Sequence, residues 1–352
     1  MLPCPIECMH VMKREGFSLT THILLIAALF AALIVSVSVG SVFLPFDETL
    51  RIVWRMLTGG AQQAGSSSAI LVHVRIPRVL AAALTGASLS LCGGAMQGLL
   101  RNPLADGGTL GVSSGASLGA VLAIALGISI PGLPFAATTG MAMLFAFLSM
   151  LLILGLSYQF DRSFSTQTLI LMGVIFSMFT GSLISLMMAF SGEKLRSITF
   201  WTMGSLAGST YENVMILLAA IALFGGVLLL SSREFNAFAV GEQNALHVGV
   251  AVRRVKITVM VAVSALIGVC VSIGGTIGFV GLIVPHMVRL LVGPNHRKLL
   301  PASAYFGANF LLLCDLISRT VVSPLELPIG VVTSLIGAVV FVGIFRRRAK
   351  GG

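Results

Sequence analysis

The sequence predicts an all-α membrane protein, and three observations carry that prediction. The chain is 57% hydrophobic and only 10% charged, where a soluble domain carries about 25% charged residues. Its mean hydropathy is +1.02. Long stretches hold no Asp, Glu, Lys or Arg at all, among them residues 107–160, and neighbouring runs occupy 16–46, 163–192, 213–232, 257–288, 299–314 and 327–345. A helix needs about 20 residues to cross roughly 30 Å of hydrocarbon. Membrane strands would alternate apolar and polar residues, and these runs do not.

Ten helices follow in order: roughly 19–39, 79–100, 110–128, 137–157, 168–190, 213–231, 254–273, 276–292, 300–319 and 329–345. The Pro131–Pro134 stretch divides the long charge-free run into two of them. The first span follows Lys13-Arg14, but its apolar region exceeds the 7–15 residues of a secretory signal, so it reads as a retained helix. Residues 1–18 form a segment before it and 347–352 a tail after the last span. Three of the five cysteines, Cys92, Cys270 and Cys314, lie inside spans, so no disulfide framework is expected.

With ten spans both termini share one side. If that side is cytoplasmic, fourteen Lys and Arg lie inside, seven lie outside, and Arg289 stays in a span. The positive-inside rule supports this orientation. The net charge of +10 is then mostly orientation, and no basic stripe interleaved with aromatics points to nucleic acid.

Among the outer seven, "RIPR" at 75–78 stands at the start of the second helix, where Pro77 fits a first helical turn. Arg75 and Arg78 read either as headgroup anchors that snorkel or as a docking patch for an acidic partner. No P-loop and no His/Glu zinc signature occurs, so the chain has no nucleotide or zinc site of those kinds. "GGAMQG" at 93–98 is mid-span, where small residues let helices pack closely. On the cytoplasmic side, "LLRNPLADGGTLG" (99–111) and "DRSFSTQ" (161–167) are short joins. The segment 231–256 is longer. In it Phe238, Leu246, Val248 and Val250 sit among polar residues, with Gly241 and Gly249 as breaks. Two short helical turns presenting an apolar contact surface are expected there.

The stretches "RIPRVLAAALTGASLSLCGGAMQGLLRNPLAD", "LGVSSGASLG", "GGTIGFVGLIVPHMVRLLVGPNHRKLLPAS" and "ELPIGVVTSLIGAVVF" resemble the FecCD-type permeases. These are membrane subunits of ABC importers for iron-siderophores, haem and cobalamin, and the resemblance runs from about residue 40 to 346. It implies ten helices with the first and second five related as an inverted repeat. The sequence itself echoes this weakly, through Gly-Gly at 93–94 and 274–275.

Position by position, the resemblance puts docking of a substrate-binding protein on Arg75, Arg78 and Arg319. It puts ATPase coupling on the 231–253 loop, at Gly241, Glu242, Leu246 and Gly249. It puts a cytoplasmic gate at Ser165, Thr166 and Gln167. Gln167 is bulkier than the family's serine, and Val339 stands where proline is common. Arg289 belongs to the eighth helix and His296-Arg297-Lys298 to a cytoplasmic turn. A lone Arg mid-helix costs about 2.5–3.5 kcal/mol on insertion scales, so Arg289 must face the bundle interior or the nearby cytoplasmic interface. His286 reads as a packing histidine, since its only metal-like company would be the cysteines and none has suitable spacing, and Asp315 pairs with Arg319 at i, i+4.

The expected function is a permease subunit of an ATP-driven importer in a bacterial cytoplasmic (inner) membrane, carrying an iron chelate or cobalamin inward. It would pair as a homodimer or with a paralogue, contact lipid, two ATPase subunits and an external binding protein, and hold no cofactor of its own, ATP residing on the partners. An ion-coupled secondary transporter is the alternative, and it would hide an ionisable residue or a broken helix at mid-membrane.

Overall fold

The computed structural model describes residues 19–40, 46–58, 66–130, 136–162 and 164–350. The expected 1–18 segment and the Pro131–Pro134 break lie outside them. The described residues form helices and no strand. In order these are α1 (Leu19–Ser38), α2 (Phe46–Leu57) and α3, which runs from Ser66–Ile70 through a π turn at Leu71–Arg75 into Ile76–Leu99. Then come α4 (Val112–Leu126), α5 (Ala136–Phe160), α6 (Thr166–Phe190) and α7 (Leu195–Thr202). Helix α8 runs from Tyr211–Ala220 through a second π turn, Ile221–Gly225, into Gly226–Leu230. The rest are α9 (Ser232–Val240), α10 (Glu242–His247), α11 (Val252–Gly274), α12 (Val280–Val292), α13 (His296–Thr320) and α14 (Ile329–Lys350).

Six of these helices, α3, α5, α6, α8, α11 and α13, are long and apolar enough to cross a membrane. Shorter apolar stretches in α1, α4, α12 and α14 lie over the other four expected spans. Several boundaries differ from expectation. Helix α3 starts at Ser66, well before 79, because the π turn absorbs the defect that Pro77 makes in an α-helical ladder. In that turn the Ile76 N–H donates to Leu71 O, and the Val72 carbonyl accepts from the Tyr211 hydroxyl at 2.7 Å. The cluster His296-Arg297-Lys298 is not a turn but the first turn of α13, capped by the Asn295 side chain accepting from Arg297 N at 3.0 Å. Residues 347–350 continue α14.

Two short helices were not expected. Helix α2 places Leu50, Val53 and Trp54 along one face and Asp47, Glu48, Arg51 and Arg55 elsewhere, an amphipathic pattern. Helix α7 follows a 3-10 turn at Gly192–Lys194.

The core is α3. Its span is 83% buried, against 17% for α6, and it packs on α8, α11, α12 and α13. Two glycine contacts allow that. A β-carbon on Gly93 would overlap the carbonyl of Gly281 in α12, and one on Gly86 would overlap that of Gly307 in α13, so backbone meets backbone.

Candidate functional site

The candidate side chains gather at opposite ends of the bundle. One end joins the C-terminus of α1, the start of α3 and the C-terminus of α13. There Arg75, Arg78 and Arg319 are 4%, 5% and 3% exposed. Arg78 Nε donates to Asp315 Oδ1 at 2.8 Å, and another Arg78 nitrogen donates to Glu326 Oε2 at 2.7 Å. Arg319 Nε lies 2.9 Å from Asp315 Oδ2, the i, i+4 pair expected from sequence. Asp315 is wholly buried, while the Glu326 side chain is 33% exposed.

The remaining guanidinium donors cap α1. Arg75 donates to Val37 O at 3.1 Å and Ser38 O at 3.0 Å. Arg319 donates to Val39 O at 3.1 Å and Ser36 O at 3.0 Å. The last carbonyls of a helix lack intrahelical partners and carry the negative end of its dipole, so three arginines against two carboxylates are balanced by a helix terminus. Arg75, Arg78 and Arg319 are thus brought together with their guanidinium groups turned onto buried acceptors. Apart from the Asp315–Arg319 pair, the acceptors lie far away in sequence.

At the other end, the 161–167 join is built around Asp161. Its Oδ2 accepts from Ser165 N at 2.9 Å and Thr168 Oγ1 at 3.4 Å. Ser165 is the N-cap of α6, its hydroxyl accepting from Thr168 N at 3.4 Å. Ser165 and Thr166 are half-buried and Gln167 is exposed. Phe164 is buried in a left-handed conformation, φ 53°. Its ring stacks on Tyr158, and the Arg253 guanidinium lies 5.2 Å from the Tyr158 ring centre and 5.9 Å from that of Phe164.

Beside this join sit α9 and α10, the two short helices expected in 231–253. Gly241, at φ 134°, turns one into the other, a conformation open to glycine and few others; Gly249 ends the pair at φ 86°. Ala245 is buried, while Leu246 is 55% and Val248 73% exposed. Phe238 departs from expectation: it is wholly buried, as is Phe235, which packs on His296. Sequence reasoning passed over Lys256. Counted there only as a cytoplasmic charge, it is 0% exposed and bonded to Glu242 Oε1 at 2.7 Å and to Phe164 O at 2.9 Å. Its position four residues after Val252, on the apolar face of α11, was the available signal.

At this same end, in the last turn of α12, Arg289 is half-buried and donates to Gln97 Oε1 at 3.3 Å, so it turns toward α3. Gln97 in turn donates to Leu282 O at 3.0 Å. His286 is buried in α12.

The family model described as the FecCD transport family matches residues 26–347. The chain belongs to the FecCD transport family. A FecCD relative from Bacillus subtilis, an uncharacterized ABC transporter permease protein YvrB, is 43% identical, with 92% of each chain covered. The cobalamin import permease BtuC of Halobacterium salinarum is 39% identical over 80% of this chain and 75% of its own. Further relatives are named for molybdate and hemin import. A solved structure described as an inward-facing conformation of a metal-chelate type ABC transporter superposes with TM-score 0.81 at 33% identity, covering 92% of this chain and 98% of that one. This FecCD protein is a membrane permease of the ABC importer type.

Proposed function

We propose that the chain is one permease subunit of an ATP-driven importer that carries a metal chelate or a corrinoid inward. The observation that carries the reading is the split character of α10. One face is fixed to the body through Ala245 and Glu242, while Leu246 and Val248 leave apolar surface uncovered at the bundle end. Such a patch on a helix of six residues suits a partner that pushes on it, and two ATPase subunits are that partner. Gly241, Glu242, Leu246 and Gly249 form the coupling element, and Ser165, Thr166 and Gln167 the gate.

In this reading all ten apolar helices cross the membrane, five and five as an inverted repeat, with both termini cytoplasmic. A second copy or a paralogue covers α6, whose Leu171, Val174, Ile175, Met178 and Phe179 are exposed. An external binding protein docks at the arginine end. There Arg75, Arg78 and Arg319 hold the shape of the face instead of meeting the partner's carboxylates directly. The relatives' names favour cobalamin, hemin or a metal oxyanion among possible cargoes. The ionisable residues that a gradient-driven carrier would use are engaged structurally: Asp315 by two arginines, Arg289 by Gln97.

The test is reconstitution in proteoliposomes with its cognate ATPase and binding protein, using labelled cyanocobalamin, hemin and a ferric hydroxamate as probes. Uptake of at least one that requires hydrolysable ATP is expected. Uptake driven by an ion gradient without the ATPases would overturn the reading.

A further inference from the structure

We propose that Lys256 is the tie through which the coupling helix moves the gate turn. The inference rests on the coupling and gate assignments above and adds the residue that joins them. Three separate elements meet at one ammonium. Lys256 lies in the second turn of α11 and is 0% exposed. Its Nζ donates to Glu242 Oε1, at the first position of α10, at 2.7 Å, and to the carbonyl of Phe164, immediately before the α6 cap, at 2.9 Å. A lysine ammonium is a compact charge with three donors on a flexible stem, so it bonds a carboxylate and a carbonyl on two different elements at once.

The two partners are unequal. The Glu242 side chain is 40% exposed and reaches water if α10 shifts, whereas Lys256 has no such route. A buried charge that loses its counter-ion is strongly unfavourable, so Lys256 follows Glu242 when α10 is displaced. Its hold on the Phe164 carbonyl then changes. Phe164 is the place where such a pull acts: a bulky residue in the left-handed region persists only when its surroundings hold it there. Ser165 and Thr166 follow it directly. Arg253, one turn earlier on α11 and over the Tyr158 and Phe164 rings, keeps the join seated on α11 while the carbonyl moves.

The experiment uses the complex assembled with its ATPases, in a background with Cys4 and Cys8 replaced by serine. A Thr166→Cys reporter is labelled with a membrane-impermeant maleimide in the nucleotide-free and vanadate-trapped states. With Lys256 present, the labelling rate should differ at least fivefold between states. With Lys256→Met, ATP hydrolysis should persist and the rate difference should fall below twofold. Lys256→Arg should restore part of it. Glu242→Gln, which leaves the buried Lys256 ammonium without its carboxylate, should reduce the difference as well, and the double variant with Lys256→Met, which removes that unpaired charge, should lose no more than Lys256→Met alone.

A full state difference in Lys256→Met would overturn the proposal. So would loss of ATPase assembly in Lys256→Met, which would make the residue a seat for α10 and not a tie. Failure of the underlying reading looks different: the reporter would not respond to nucleotide even with Lys256 in place.

Discussion

Arg78 and Arg319 share one carboxylate. Each places its Nε against a different oxygen of Asp315, at 2.8 and 2.9 Å, and the carboxylate is wholly buried. Asp315 thereby fastens α3 to α13 at the end where α1 also terminates. Taking charges out of water is costly, and breaking one member of a buried pair usually costs more than the pair contributes.

Asp315→Asn should therefore destabilise the chain by about 3–5 kcal/mol, because two guanidinium groups would face a single remaining carboxylate. Glu326→Gln should cost about 1 kcal/mol or less, its partner having another acceptor and its own side chain reaching solvent. Thermal unfolding in detergent, followed by tryptophan fluorescence or aggregation, separates the two. Equal losses would mean that the cluster is not centred on Asp315.

Arg75→Ala should loosen the end of α1 without unfolding the bundle. It removes two charge-assisted bonds to Val37 and Ser38 carbonyls but leaves those of Arg319. Amide hydrogen exchange over residues 36–39 should accelerate about tenfold, equivalent to about 1.4 kcal/mol. Unchanged protection there would show that the capping bonds contribute nothing measurable.

Leu246→Asp should leave expression and thermal stability near wild type, since the side chain is 55% exposed. Affinity for the ATPase subunits should fall at least tenfold, in keeping with about 1.5–3 kcal/mol for burying a leucine. Ala245→Asp, on the buried face of the same helix, should instead lower the yield of folded protein. Pull-down of the ATPase by each purified variant reads both effects.

Gly93→Ala should be among the most damaging single-methyl changes, since the new carbon meets a backbone carbonyl in α12 that cannot rotate away. Overpacking costs of about 1–3 kcal/mol are usual where neighbours can yield, and here they cannot. Gly155→Ala, with nothing within 4 Å of the added carbon, should be neutral or stabilising by about 0.5–1 kcal/mol. Melting temperatures of the two variants check the contrast.

The apolar runs were legible because hydrocarbon-length hydrophobicity is a local property of sequence. The two short helices of 231–253 were legible too, through Gly241 and Gly249. What could not be read locally was the fate of polar groups. Arg78 is neutralised by residues 237 and 248 positions away, and Arg75 by carbonyls of α1, so a basic motif at a helix start looked exposed. Phe238 looked like part of a contact patch because its spacing to Leu246 ignores the sharp turn at Gly241, which points the two side chains differently. Lys256 looked like one more orienting charge, since nothing near it in sequence announces the Phe164 carbonyl. The Asp315–Arg319 pair was legible because both partners sit on one helix.

The glycine contacts of α3 have a mechanical consequence. Where Gly93 meets Gly281 and Gly86 meets Gly307, no layer of side chains lies between the helices to shear or re-rotamerise. Helices α3, α12 and α13 thus form a stiff hub with little internal play. Helix α6, 17% buried where α3 is 83%, belongs to a rim held by far fewer neighbours. In the proposed transport cycle, the motion that opens and closes the route is expected where α6 meets the second subunit, against a hub that stays fixed.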